Sequence, residues 1–246
     1  MSPHLYIHEV FPSFQGEGIL AGAPQVFIRL SGCNLSCSYC DTPGTRQRVE
    51  ICTVYDWGGR REDHANPLEI AHAAQIVSSL WEPAMHSVSL TGGEPLLQAR
   101  ELTHLLPLLK QGGMPVYLET NGTLPDAFEL VSPWIDHVAM DVKLPSSVGG
   151  EDLMDTHRKF LRRSLRGDVF LKVVVDANTR GEELESACRV LGELARGTTL
   201  ILQPATMPRG VKGISAREAF ALYRIASGFF SDVRVIPQAH RAWGIR

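Results

Sequence analysis

Apolar residues in this chain fall into two kinds of short run, and the two kinds alternate. Aliphatic and β-branched runs predict strands over 5–10, 26–30, 86–90, 116–119, 137–141, 169–175, 198–202 and 233–236. Between them apolar positions recur at helical spacing. Leu68, Ala71, Ala74 and Val77, continued by Leu80 and Trp81, mark one helix face, with Asn66 as the cap and Pro67 at the first helical position. Leu102, Leu105, Leu106 and Leu109 mark a second helix over 98–111, stopped by Gly112. Pro107 should kink or shorten it, because proline has no N–H for the helical ladder. Further helices are predicted over 125–131, 152–165, 181–195 and 215–227. Ser215 caps the last, with Glu218 at the capping-box position. Residues 43–65 carry no strong period and read as an insertion with room for one short strand.

Strand followed by helix, repeated along the chain, implies right-handed parallel βα units. Six core strands are countable, 26–30, 86–90, 116–119, 137–141, 169–175 and 198–202, too few to close an eight-unit barrel. The expected fold class is therefore α/β, an open, partial parallel βα barrel. No repeat and no low-complexity linker interrupts the 246 residues, so one domain spanning 1–246 is expected. In such a fold the site lies where the carboxyl ends of the strands converge. Those ends carry three cysteines, then Thr91-Gly92-Gly93-Glu94-Pro95, Glu119-Thr-Asn121-Gly122, Asp141-Val-Lys143 and Gln203-Pro204.

Composition narrows the partner. Net charge is −3, from 24 basic and 27 acidic residues with no long basic run, so a nucleic-acid surface is not expected and a small-molecule substrate is. No apolar run reaches about 18 residues and no leader is visible, so no membrane association is expected. Five cysteines, three of them clustered, fit a reducing cytoplasm, with Cys52 and Cys188 as free thiols.

The clustered three are Cys33, Cys37 and Cys40, in Cys33-Asn-Leu-Ser-Cys37-Ser-Tyr39-Cys40-Asp41-Thr42. An odd number in one short loop does not make a disulfide framework. Zinc would need a fourth close ligand, and neither Cys52 nor a histidine at finger spacing supplies one. Three thiolates on one loop suit a cubane iron–sulfur cluster whose fourth iron is open to a small molecule. The other motifs each have a plainer reading beside the functional one. Gly92-Gly93 and Asn121-Gly122 are also turn formers. Asp141 and Lys143 could be a structural ion pair, and Arg29 an edge residue or a buried anion binder. Met140 and Met207 read as packing.

Cys-x3-Cys-x2-Cys resembles the signature of the radical S-adenosylmethionine enzymes. That resemblance implies a 4Fe-4S cluster whose open iron binds S-adenosylmethionine and yields a 5′-deoxyadenosyl radical on electron transfer. A narrower resemblance rests on Phe11-Pro-Ser13-Phe14-Gln15-Gly16-Glu17-Gly18, Phe27-x-Arg29, Gly32-Cys-Asn-Leu, Cys40-Asp41-Thr42, Glu119-Thr-Asn-Gly-Thr123 and Pro237-Gln-x-His240. Together these are similar to the 7-carboxy-7-deazaguanine synthase family. It implies a radical lyase that contracts the ring of 6-carboxy-5,6,7,8-tetrahydropterin to 7-carboxy-7-deazaguanine, releasing ammonia, in queuosine-type deazapurine biosynthesis. The hydrogen at carbon six would be abstracted and one returned, so S-adenosylmethionine would act catalytically.

By motif, the resemblance assigns Tyr39, Asp41, Gly92, Gly93, Glu94, Glu119, Asp141, Lys143 and Gln203 to S-adenosylmethionine. It assigns Phe14, Gln15, Gly16, Glu17, Arg29, Thr91 and His240 to the substrate, with the terminal carboxylate of Arg246. Thr42 matches a Mg2+ ligand. Asp141-Val-Lys143 departs from the family's common Ser-Pro-Lys at that loop. A homodimer and an external flavodoxin- or ferredoxin-like electron donor are also implied. No acid or base is assigned. Two other readings stand beside this one, a glycyl-radical enzyme activase and a non-catalytic iron–sulfur electron carrier.

Overall fold

The computed structural model describes residues 3–206 and 213–245. Its elements in chain order are β1 (His4–Leu5), β2 (Ile7–Phe14), β3 (Pro24–Leu30), β4 (Ile51–Tyr55), β5 (Arg61–Ala65), β6 (Leu68–Glu69), α1 (Ile70–Leu80), β7 (Ser87–Gly92), α2 (Ala99–Gln111) and β8 (Val116–Thr120). There follow α3 (Pro125–Val131), β9 (His137–Asp141), α4 (Met154–Ser164), β10 (Asp168–Val175), α5 (Gly181–Ala195), β11 (Leu200–Pro204), α6 (Ala216–Ala226), β12 (Val233–Val235) and α7 (Ala239–Trp243).

Ten of these strands form one sheet in the order β12-β11-β10-β9-β8-β7-β3-β2-β4-β5. From β3 to β12 every neighbouring pair is parallel. The sheet ends at β12 and β5 and does not close, the open barrel expected from the strand count. The parallel strands number seven, because β12 also pairs in parallel with β11. Successive helices from α1 to α6 pack side by side on the outer face. Leu90, Leu118, Val138, Leu171 and Leu202 point into that layer and are buried there. The alternate residues Tyr117, Ala139, Phe170 and Ile201 form a smaller buried cluster on the concave face. Strand alternation thus gives one face to the helices and leaves the other to floor a site.

Several expectations are corrected. The first long strand runs to Phe14, carried through Pro12 by antiparallel pairing with β3. The stretch 43–65 holds two strands, not one: β4 and β5 form a hairpin that extends the sheet beyond β2. Asn66 does not cap α1. Its side chain instead bonds both Ile7 N–H (3.2 Å) and Ile7 C=O (2.7 Å), and β6 pairs with β1 before the helix begins at Ile70. Pro107 lies inside α2 without shortening it, since the helix continues to Gln111 and Gly112 ends it. The tail after β12 adds a short helix, α7, that no periodic pattern announces. Ser215 and Glu218 do form the expected capping box on α6. Met140 is fully buried, as expected of packing; Met207 lies outside the described residues.

Candidate active site

The carboxyl ends of the parallel strands and the tail enclose a cavity of about 360 Å³. Cys33, Cys37 and Cys40 line it, with Tyr39, Asp41 and Thr42 from the same loop. Phe14, Gln15, Gly16, Glu17 and Arg29 line it from the N-terminal hairpin. Thr91, Gly92, Gly93, Glu119, Asp141, Lys143 and Gln203 line it from four strand ends, and His240 from the tail. Arg246 lies outside the described residues. Glu94 is the exception: it is fully buried and does not line the cavity.

The cysteine loop has one 3₁₀ turn, Pro43–Arg46, and otherwise depends on its neighbours for shape. Cys33 N–H donates to Arg46 C=O at 3.2 Å, and Ser38 N–H to Ser147 C=O at 3.0 Å. The Arg46 guanidinium donates to Cys37 C=O at 2.9 Å. All three thiols are free and partly buried. Burial pushes the Cys33 and Cys37 thiols above the usual range. A metal-bound thiol is deprotonated outright, so ligation would displace those protons. Three unpaired thiols on one cavity-facing loop fit a three-cysteine cluster site.

Gly92 and Gly93 are required for a reason different from ligand access. A Cβ on Gly92, at φ +135°, would sit 2.2 Å from Leu30 O; one on Gly93 would sit 2.1 Å from Gly32 O. Their loop is pressed against the segment that leads into the cysteines. Gly93 N–H donates to Leu30 C=O (3.1 Å) and Glu94 N–H to Gly32 C=O (2.8 Å), so those two amides are spent within the protein. Glu94 is corrected from a cofactor contact to a clamp beneath the loop. Its carboxylate accepts from Leu96 N–H (3.0 Å), Thr120 Oγ1 (2.9 Å) and Asn121 N–H (2.8 Å), tying the β7 and β8 loops together. Burial raises its pKa to about 7 against those bonds.

Asp141 and Lys143 pair at 2.8 Å at the end of β9, and Lys143 also reaches the Tyr39 hydroxyl at 3.3 Å. Burial opposes the Lys143 charge, but Asp141 and its neighbours hold the pKa well above the ordinary value. The backbone of Lys143 is fixed from below by His157, fully buried on α4, whose Nε2 accepts its N–H at 3.0 Å. Asp141 Oδ1 and Gln203 Oε1 are buried oxygens without a hydrogen-bond partner. Such groups are rare and costly unless something binds them. Two unfilled acceptors beside the cysteine loop fit a polyhydroxylated cofactor, whose hydroxyls are the missing donors.

The opposite wall is built on the N-terminal motif. Gln15 is buried, and both its Nε2 hydrogens are taken, by Gln25 Oε1 (3.0 Å) and Glu119 Oε1 (2.8 Å). Its Oε1 accepts from Glu17 N–H (3.0 Å), so only one lone pair remains for a ligand. Glu119 also accepts from Thr91 Oγ1 at 3.1 Å. Glu17 is bonded by Lys172, and by Gln238 at 2.6 Å. Burial pushes the Glu17 carboxyl up, but the Lys172 charge and the bonds from Gln238, Lys172 and Gln203 outweigh it, bringing its pKa down to about 2. Glu119 moves the other way, raised by burial and the Glu17 charge. Arg29 bonds Glu9 through Nε at 2.8 Å and lies over the Phe11 ring. The tail is docked by Ala239 N–H to Gly16 C=O (2.8 Å), and a Cβ on Gly16 would sit 2.1 Å from His240 Nδ1. Glu17, Asp41 and His240 bring one ligating atom each within 4.8 Å of one another.

Lys172 and Gln238 are among the cavity residues to which the sequence gives no role. Lys172 interrupts the apolar run of β10, and that lone charge is the signal that could have found it. Gln238 sits inside the Pro237-Gln-x-His240 motif but receives no role from it, although it bridges Glu17 and Asp41.

Residues 27–186 match the radical SAM superfamily. A protein named 7-carboxy-7-deazaguanine synthase from Geobacter sulfurreducens is 42% identical over 98% of this chain and 98% of its own length. One of the same name from Methanopyrus kandleri is 37% identical over 98% of this chain and 94% of its own. The crystal structure of QueE from Escherichia coli superposes with a TM-score of 0.61 at 20% identity, covering 96% of this chain and 95% of that one, a likeness of fold. No described helix is long and apolar enough to cross a membrane. With near-complete coverage and a cavity that gathers the motif residues, the chain belongs to the 7-carboxy-7-deazaguanine synthase family of the radical SAM superfamily.

Proposed function

We propose that this chain converts 6-carboxy-5,6,7,8-tetrahydropterin to 7-carboxy-7-deazaguanine with release of ammonia, in queuosine-type deazapurine biosynthesis. The observation that carries the reading is the meeting of the cysteine loop and the Gln15-Gly16-Glu17 wall in one cavity. An electron carrier has no use for that wall, and an activase would need a protein in its place. The bound cluster and S-adenosylmethionine supply the 5′-deoxyadenosyl radical.

The chain's own residues bind and orient. Cys33, Cys37 and Cys40 hold the cluster. Asp141 and Gln203 accept from the cofactor's hydroxyls, and Lys143 meets its carboxylate. Glu17, kept anionic, accepts from the aminopyrimidinone N–H groups of the pterin. Arg29 takes the substrate carboxylate through its terminal nitrogens, since Nε is occupied by Glu9. Gln15, Thr91 and Glu119 fix the wall behind the ring, and His240 covers it from the tail. Thr42 is a Mg2+ ligand in this reading, with the substrate carboxylate as a further oxygen donor. The active form is a cytoplasmic homodimer reduced by a small external electron-transfer protein.

The test is anaerobic turnover. Reconstituted holoenzyme with reductant, Mg2+, S-adenosylmethionine and the pterin is expected to form 7-carboxy-7-deazaguanine, identified by mass and ultraviolet absorbance. Cleavage of S-adenosylmethionine without that product would overturn the substrate.

A further inference from the structure

We infer that Lys172 is a positioning residue that joins the two halves of the site, its one ammonium holding Glu17 at the substrate wall and Asp141 at the cofactor wall. The inference deepens the proposed function and rests on it. Lys172 stands in the middle of β10, and the parallel register sets it opposite Asp141 on β9. Its neighbours Leu171 and Val173 face the helices, so period-two alternation turns Lys172 to the concave face, where it lines the cavity. Its side chain is 11% exposed, too little for water to support the charge. The charge is kept instead by Glu17, hydrogen-bonded to it, and by Asp141 at 3.3 Å.

A buried amine in an apolar strand is expensive, and replacing buried ion pairs with apolar side chains is often neutral or stabilising. Stability alone does not require a lysine there. The local charge count supplies a reason. Five carboxylates line the cavity, Glu9, Glu17, Asp41, Glu119 and Asp141; Arg29 pairs with Glu9 at 2.8 Å, Arg241 with Asp41 at 3.5 Å and Lys143 with Asp141 at 2.8 Å. Lys172 is the cation that reaches Glu17. The other titratable groups facing Glu17 are Glu119 and Tyr117 from β8, Asp41 from the cysteine loop and His240 from the tail. None of these is a permanent cation, and the arginines that line the cavity are engaged elsewhere, Arg29 with Glu9, Arg241 with Asp41 and Arg46 with Cys37 C=O at 2.9 Å. With Lys172, Glu17 stays an acceptor for the N–H edge of the pterin; without it, burial and the Glu119 charge push Glu17 towards its protonated form. Asp141 keeps Lys143 in either case, so the two ends of the Lys172 bridge should respond unequally.

The experiment uses holoenzyme with S-adenosylmethionine but no reductant, so that pterin binding is read without turnover. Wild-type affinity should be flat between about pH 5.5 and 7.5 once the free ligand's own titration is subtracted. Lys172→Met should weaken pterin binding by about tenfold or more at pH 7.5, the scale of one charge-assisted hydrogen bond, and further as pH falls. S-adenosylmethionine affinity, read by equilibrium dialysis of the same unreduced holoenzyme, should move by less than about threefold. Lys172→Arg should restore much of the pterin affinity and the flat pH profile. Equal pterin affinity and pH profile in wild type and Lys172→Met would overturn the proposal while leaving the function standing. If wild type itself fails to bind the pterin, the functional reading falls instead. Should Lys172→Met not fold, the wild-type profile decides: a loss of affinity as pH falls across that window would overturn the proposal, and a flat profile supports it.

Discussion

Glu17 and Glu119 are carboxylates on one wall of one cavity, and their surroundings drive them apart. Lys172, Gln238 and Gln203 overcome burial at Glu17, while Glu119 is raised by burial and by Glu17 itself. Glu17 is thereby the fixed anion of the pair. Glu17→Gln should weaken pterin binding about ten- to a hundredfold, the range for one hydrogen bond to a charged acceptor, while S-adenosylmethionine cleavage persists. Equilibrium binding and 5′-deoxyadenosine release measure the two separately; unchanged pterin affinity would count against the role. Glu94 belongs to structure instead. Glu94→Ala strands Leu96 N–H, Asn121 N–H and the Thr120 hydroxyl in the interior and should cost about 3 kcal/mol in denaturant unfolding. A loss below about 1 kcal/mol would mean that water fills the gap. Motif spacing made the cysteines, Glu17 and Lys143 legible in the sequence. It did not separate Glu94, which clamps two loops, from residues that face the cavity, because both follow a strand end. Lys172 was hidden for the opposite reason, as a single charge inside an apolar run.

Among the elements, the Gly92-Gly93 loop and the cysteine loop are built as one unit. Gly93→Ala would force a Cβ to within 2.1 Å of Gly32 O, one residue before Cys33. Iron and sulfide per chain should fall well below wild type after reconstitution, with the far-ultraviolet circular dichroism kept; wild-type iron content would show that the loops move independently. The tail is coupled to the N-terminal motif in the same steric way, through Gly16 and His240. The parallel strands, α2, α3, α5 and α6 were legible because each has an apolar face or run of its own. The β4–β5 hairpin was not, since β5 is Arg-Glu-Asp-His-Ala, a polar edge strand defined by its partner. Nor was α7, five residues held by one backbone bond to the Gly16 loop and by its own Gly244 cap.

At the scale of the whole molecule, an open parallel sheet puts five strand ends, a hairpin and the tail around one cavity. The strand–helix rhythm predicted that architecture, and the lack of closure followed from counting strands. The buried charges inside it carry a pH cost. The folded pKa of Glu17, about 2, lies below its ordinary 4.5, so its stabilisation is fully present above pH 4.5 and is lost as pH falls towards 2. The loss is about 3 kcal/mol in wild type and should be largely absent in the Glu17→Gln, Lys172→Met double variant, as followed by acid-induced unfolding. Identical acid curves would contradict it. The radical rearrangement proposed for this cavity should return its cofactor. The most direct test counts S-adenosylmethionine against 7-carboxy-7-deazaguanine over many anaerobic turnovers. Many products for each S-adenosylmethionine lost is the predicted result; one S-adenosylmethionine consumed per product, or cleavage with no product, would contradict it.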